Sequence, residues 1–322
     1  MIADQRQHAT HDAIRLDSRA RLRVEPSQQA RLQALMQPDG ARFMRWVALH
    51  LTVWGAAAAL ILFIDTLWIQ GLATLVLGSQ LHAFTVLQHD CGHQSAFRSA
   101  AWNLWVGRLL AWFIVFPFSS FTECHKRHHR YLGDPQQDPD DWNYLAGVRW
   151  MFLRIALFVP RFTYFSLVRY GHAVRNRVVR ELVFNLTSMG LLCAIFVACE
   201  RLDAFLLIFA APLLLLALVI NPISRGYEHF PMATLPAEQD ERLDLSRNTI
   251  TVTSRVVGLL WANINYHVEH HVYPNVPFFN LPKLHGLLAH QSFQRDRWLL
   301  ARLFSDPAPR PATPTVMEGR SS

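Results

Sequence analysis

"TLWIQGLATLVLGSQLHAFTVLQHDCGH", residues 66–93, carries no charged side chain from Thr66 to Gln88 and then closes on two histidines and an aspartate. A charge-free stretch of this length meets the roughly 20 apolar residues that a membrane-spanning helix needs. Imidazoles at the end of such a stretch are costly neighbours for lipid, so they call for a chemical reason. The oddity recurs as "HKRHH" from His125 and "HVEHH" from His267, and these two with "HDCGH" from His89 hold eight of the chain's 16 histidines.

Working outward, Trp46–Ile64 is uncharged, and Leu182–Cys199 and Ala204–Ser224 are two further apolar runs separated by "ERLD". Buried helices of a soluble core would carry a charged stripe, and none of these does. The reading is an all-α integral membrane protein with four transmembrane helices in two hairpins. Composition agrees: 51% of residues are hydrophobic, 17% are charged, and mean hydropathy is +0.12. The net charge of +7 is almost wholly arginine, Lys126 and Lys283 being the only lysines. That balance fits anionic lipid and membrane orientation better than nucleic acid.

Arginine is concentrated before Trp46, between Arg98 and Arg180, and after Ser224, and is sparse at Asp65 and "ERLD". By the positive-inside rule both termini and all three histidine clusters are expected on the cytoplasmic side, in a bacterial cytoplasmic membrane. Four cysteines without a CxxC pair fit a reducing compartment. Residues 1–40 read as a loose polar arm with one short helix, 41–304 as the membrane domain, and the proline-rich 305–322 as a disordered tail. Residues 103–118 are apolar but short and contain Arg108, so they read as an interfacial or re-entrant helix. Residues 148–180, with arginines among aromatics, read as interfacial too.

On a helix, residues at i, i+3 and i+4 share a face. His89 with His93, His125 with His128 and His129, and His267 with His270 and His271 all have that spacing, so each cluster is expected to aim its imidazoles one way, as metal ligation requires. Eight imidazoles exceed what one ion uses, which implies two. Nitrogen-rich sites suit iron, copper, nickel and zinc alike. An HExxH metalloprotease pattern is absent, and a transporter would place its ionisable groups deeper within its spans.

The ordered set HDCGH, HKRHH and HVEHH on a four-span chain resembles the membrane fatty acid desaturase superfamily. "HDCGHQSAFRS", "HKRHHRYLGDPQQDPD" and "NYHVEHHVYPNVPFFNLPKLH" carry the likeness from about Gln80 to Leu288, and the DPD-containing run resembles the rhizobitoxine-type branch. That resemblance implies a cytoplasmic histidine-rich cap holding two non-haem irons, O2 as co-substrate, and an external reductant such as a ferredoxin, rubredoxin or cytochrome-type donor. It implies a C=C bond introduced into an acyl chain or acyl-like lipid. A hydroxylase or ketolase acting on a lipid, carotenoid or small amino-acid-like substrate, and a membrane metal-binding protein without catalysis, are the competing readings. It also implies a ninth ligand after the fourth span, for which "NPISRGYEHF" offers His229.

Asp90, Glu228, Glu269 and Asn265 are candidates to orient the ligating histidines. Asp138 and Asp140 read as charges of a solvated loop, His82 as a packed or functional histidine of the second span, and His172, His285 and His290 as surface or interfacial residues.

Overall fold

The computed structural model describes residues 2–298, so the tail expected at 305–322 lies outside the described residues. The chain is mostly helical. Helix α1 (Ile2–Arg21) and helix α2 (Gln29–Leu35) precede α3 (Gly40–Phe63), which Asp39 caps by accepting from the Arg42 N–H at 2.9 Å. A short turn leads into α4 (Leu67–Gly92), which packs along α3. Helices α5 (Ala100–Phe113), α6 (Phe118–Tyr131), α7 (Val148–Ala156) and α8 (Phe158–Arg169) follow, then α9 (His172–Ala198) and α10 (Leu202–Glu228).

Among the described residues, α3, α9 and α10 are long and apolar enough to cross a membrane, and up to five spans result if each bent helix pair counts as one. The expected second span, α4, is long enough but falls outside that set, because Gln70, Gln80, His82 and Gln88 dilute its apolar residues. Its second half is instead buried all round, with every residue from Gln80 to Gly92 out of solvent, as a central helix should be. Its polar groups find lateral partners. His50 Nδ1 lies 2.6 Å from Gln80 Oε1, and His82 Nε2 lies 2.7 Å from Ser224 Oγ, so His82 is a packed, bonded histidine. By contrast α9 buries only Val178 and Asn185 and presents Val183, Phe184, Leu191 and Ile195 outward, which suits lipid as its solvent.

Residues 103–118 do not form one straight helix. The α5–α6 pair is bent by 105° at a break where Val115 takes φ 51° and Pro117 follows. Helix α5 ends at Phe113, closed by the left-handed Val115 with the Phe116 N–H donating back to the Ala111 carbonyl at 3.1 Å, and Pro117 keeps Phe116 extended before α6. Gly107 permits the fold-back, since a Cβ on it would lie 2.4 Å from the Phe118 ring. Arg108, the charge inside this apolar segment, is paired with Glu181 at 2.8 Å.

Helix α10 widens into π turns at Leu206–Ala210 and Leu216–Ile220. Pro212 and Pro222 would each clash with the carbonyl four residues back, at Ile208 and Leu218, and both carbonyls lie inside the widened turns. At the α9–α10 turn the Arg201 guanidinium donates to the Leu62 carbonyl at 3.2 Å. Both short turns therefore meet at one end, and the histidines gather at the other.

Two expectations are corrected. The first forty residues are not a loose arm with one short helix. Arg15 pairs with Asp134 at 2.8 Å, Leu22 is buried, and the Val24 N–H donates to the Tyr273 hydroxyl at 2.8 Å. Nor is the chain wholly α: β1 (Ile250–Val252) pairs in parallel with β2 (Gln294–Asp296), Ile250 opposite Gln294.

Candidate metal centre

Four elements converge. The end of α4 brings His89 and His93, α6 brings His125, His128 and His129, the residue after α10 is His229, and the helix His267–Val272 brings the rest. The side chains divide into two groups whose ligand atoms lie within 4.8 Å of one another: His89, His93, His125, His129 and His270 form one, and His128, His229 and His271 the other. His267 joins the second, with its Nε2 3.1 Å from His229 Nε2 and 3.2 Å from His271 Nε2.

The expectation that each box aims one way holds for His89 and His93, which share a group, and is corrected for the two HxxHH boxes by helix geometry. Successive residues diverge by about 100° around a helix. Adjacent histidines, His128 with His129 and His270 with His271, therefore cannot face one point. Each HxxHH box accordingly serves both groups.

The spacing within the groups tests what they could hold. His270 Nε2 lies 2.9 Å from both His89 Nε2 and His129 Nε2, and His129 Nε2 lies 2.9 Å from His125 Nε2. An imidazole nitrogen has one in-plane lone pair or one N–H, so His270 cannot direct it at two neighbours together. A cation between the rings would satisfy them all. Nitrogens at right angles on an ion, each about 2.1 Å away, are about 3.0 Å apart, whereas a tetrahedral angle opens this to about 3.4 Å. The observed spacing fits an ion of more than four ligands, which the five-imidazole group could supply.

Ligation requires neutral rings. Burial, then the crowding of neighbouring imidazoles, holds His229, His267, His270 and His271 well below the ordinary histidine range. Outer nitrogens set ring orientation and tautomer. His128 Nδ1 lies 2.9 and 3.0 Å from the two oxygens of Asp138, and His229 Nδ1 lies 3.1 Å from Thr249 Oγ1 and 3.4 Å from the Asn248 carbonyl.

Asp138 is thus no solvated loop charge. It is buried and also accepts from the N–H groups of Gly133 and Asp140. Burial lifts its carboxyl above the usual range while the His128 ring pulls it back. Asp140 is buried as well, paired with Arg225 at 2.7 Å, and Asp141 pairs with the buried Arg242. The "DPDD" acids fold inward because each meets a cation or an imidazole, the condition under which buried charge is tolerated.

The other candidates separate. Asp90 lies 3.4 Å from His89 Nδ1 and accepts from the Phe278 N–H at 2.8 Å. Glu228 lies 3.5 Å from Nε2 of His267, the inward nitrogen, and so faces the cluster itself. Glu269 touches no ligand-group histidine through its carboxylate. It accepts from Thr251 Oγ1 and meets His285 Nδ1, each at 2.5 Å, which clamps its helix to β1 and to the helix Leu281–Leu288. His285, expected at the surface or the interface, is partly buried and bonded to Glu269. Asn265 bonds the carbonyls of Val252 and Ser254 and shapes the turn before the last box. Sequence reasoning passed over Thr249, Thr251, Arg225 and Arg242; the run of acids at 138–141 was the available signal.

The sequence profile of the fatty acid desaturase family matches residues 66–303. The chain is 31% identical over 261 residues to the sphingolipid delta(4)-desaturase/C4-monooxygenase of Homo sapiens, covering 78% of this chain and 75% of that protein. It is 28% identical over 275 residues to a sphingolipid delta(4)-desaturase of Mus musculus, with 78% and 75% covered. To the dihydrorhizobitoxine desaturase of Bradyrhizobium elkanii it is 27% identical over 274 residues, with 77% and 75% covered.

Proposed function

The chain belongs to the fatty acid desaturase family, and from that premise we propose that it is an O2-dependent di-iron enzyme introducing a C=C bond into an acyl or acyl-like chain. Family membership makes it an integral membrane oxidoreductase of the lipid-desaturating kind. The observation that supports the finer reading is the convergence of nine imidazoles into two groups with nitrogens about 3 Å apart.

His89, His93, His125, His129 and His270 would hold one iron, and His128, His229, His267 and His271 the other. The bound irons, reduced by an external ferredoxin, rubredoxin or cytochrome-type donor, would supply the O2 chemistry that removes hydrogen from an unactivated C–H bond. The protein keeps the ligand groups dry: His93 alone is more than slightly exposed among the nine. Asp138 holds His128 in the tautomer that presents Nε2 inward. Glu228, facing the same cluster, offsets part of the charge that a bound ion brings. Phe121, stacked on His125 with centroids 5.1 Å apart, gives the centre an apolar floor on the side of the helices.

Four spans, both termini and the histidine groups on the cytoplasmic side of a bacterial membrane, complete the reading. The arginine-rich flank of that face suits an acidic electron donor. A second outcome, hydroxylation, has support from one relative, whose name joins desaturase to C4-monooxygenase.

The test is expression in a host of defined lipid composition, with mass spectrometry of lipids and small metabolites and metal analysis of the purified protein. A product two hydrogens lighter, with close to two irons per chain, is expected; a product one oxygen heavier identifies a hydroxylase. An unchanged profile from protein carrying only zinc would overturn the proposal.

A further inference from the structure

A cleft of about 850 Å³ opens between α5 and α9, with Phe116 and Phe118 of the α5–α6 bend at its side. Its walls are two helical stripes. Helix α5 contributes Trp105, Arg108, Leu109 and Trp112, and α9 contributes Arg177, Arg180, Glu181, Phe184, Asn185 and Ser188. Two cross-links fix the register between the stripes: Arg108 Nε donates to Glu181 at 2.8 Å, and Trp112 Nε1 donates to Ser188 Oγ at 2.7 Å. The arginines therefore lie at one end of the cleft, with Trp105 beside Arg108 at 5.2 Å, and Trp112, Phe184 and Ser188 extend toward the other. Trp105, Phe184 and Leu109 are each more than half exposed, although they line a hollow.

The charges at the basic end do not cancel. Glu181 is committed to Arg108 and to the N–H and hydroxyl of Ser119, and Glu123 is paired with Arg177 at 3.1 Å. Against these two carboxylates stand Arg108, Arg177 and Arg180. Among the described residues Arg180 is the one left over, and its Nε donates to the backbone carbonyl of Asn176 at 3.1 Å. One cationic end and a long apolar remainder, opening where α9 faces lipid, match the order of groups in a phospholipid: phosphate first, acyl chain after.

We propose that this cleft binds an anionic phospholipid, its phosphate held at Arg177 and Arg180 beside Trp105 and one acyl chain laid along Leu109, Trp112 and Phe184. The bound lipid would be a resident of the membrane, distinct from whatever the metal centre oxidises. It would fill a hollow beside the α5–α6 bend that protein side chains leave open. Arg180 provides the selectivity for negative charge, because the other two arginines already have carboxylate partners.

The test uses the full-length protein in phosphatidylcholine nanodiscs. Each preparation carries the same small fraction of chain-brominated lipid, either phosphatidylglycerol or phosphatidylcholine. Quenching at the cleft is the difference between wild type and the W105F/W112F variant. Brominated phosphatidylglycerol should quench more strongly than brominated phosphatidylcholine. R180Q should cut that preference roughly fivefold, and R180K should retain most of it. Native mass spectrometry of wild type, R180Q and R180K, which needs no tryptophan variant, should show phosphatidylglycerol retained by the first and third and lost from the second. Equal quenching by the two lipids, or a preference that R180Q leaves intact, overturns the proposal, as does displacement of the brominated lipid by an acyl substrate that the enzyme converts.

Discussion

His128 Nδ1 and Asp138 Oδ1 lie 2.9 Å apart, and the contact ties the middle histidine of α6 to a loop that turns back over it. Because His128 and His129 diverge on their helix, His128 alone carries the second box's contribution to the second imidazole group. On the proposed di-iron reading, Asp138 therefore governs one ion and not the other. D138A should weaken binding at that site roughly 10- to 100-fold, with D138N intermediate because it keeps an acceptor. A competitive metal titration should resolve one weakened and one unchanged site. Equal weakening of both would show that the loop acts only through general stability.

His229 belongs to the second group and to no part of the first. H229A should reduce iron from close to two per chain to close to one, leaving the five-imidazole site filled. Metal analysis of protein purified without chelator measures this directly. Full occupancy in the variant would remove His229 from the ligand set.

The boxes were legible because i, i+3 and i+4 spacing is a local property, and His229 because it follows the last apolar run at the level of the boxes. What was hidden is non-local. Nothing near Asp138 announces that His128 will reach it, and Glu269 sits between box histidines yet turns away toward Thr251 and His285, 18 and 16 residues away in sequence. The division of each HxxHH box between two groups was derivable from the 100° step, but only once the adjacent pairs were treated as divergent. The four apolar runs all became helices. Helix α4 escaped the composition pattern of a span because protein, not lipid, surrounds its glutamines.

His285 offers a sharp contrast with the sequence reading. Its ring meets the fully buried Glu269 carboxylate, while His172 sits exposed at the start of α9 and touches Arg175. H285A should leave Glu269 short of one partner and cost about 1–3 kcal/mol, seen as a lower Tm and looser metal at the His267–His271 helix. H172A should change neither. If both variants behave as wild type, the clamp on the third box is unimportant.

Topology can be tested without any chemistry. Reporters fused after Gly133, Pro236 or Ser322 should read cytoplasmic, and one at residues 200–203 should read external. The Arg201–Leu62 contact places both short turns at one end, so a reporter near Asp65 should agree with the one at 200–203. A Gly133 fusion on the external side would make the α5–α6 pair a true span and separate the first two boxes.

Gly133 itself carries the last prediction. It lies two residues past the end of α6, adopts φ 79°, and donates its N–H to Asp138 Oδ2 at 3.2 Å. A Cβ here would lie 1.8 Å from the Arg242 carbonyl oxygen, which is backbone and cannot move aside. Any side chain thus meets two penalties: a left-handed backbone costing about 1–3 kcal/mol and a collision with the segment that carries Arg242. That segment also bears the buried Arg242–Asp141 pair, so relieving the clash would pull apart the loop that holds Asp138 against His128. G133A should lower Tm and weaken the second ion in parallel with D138A, and the double variant should be little worse than the worse single one, since both act through one contact. Additive losses in the double variant would separate the loop's conformation from the orientation of His128. An unaltered Tm in G133A would mean that the chain passes Arg242 differently from the geometry described.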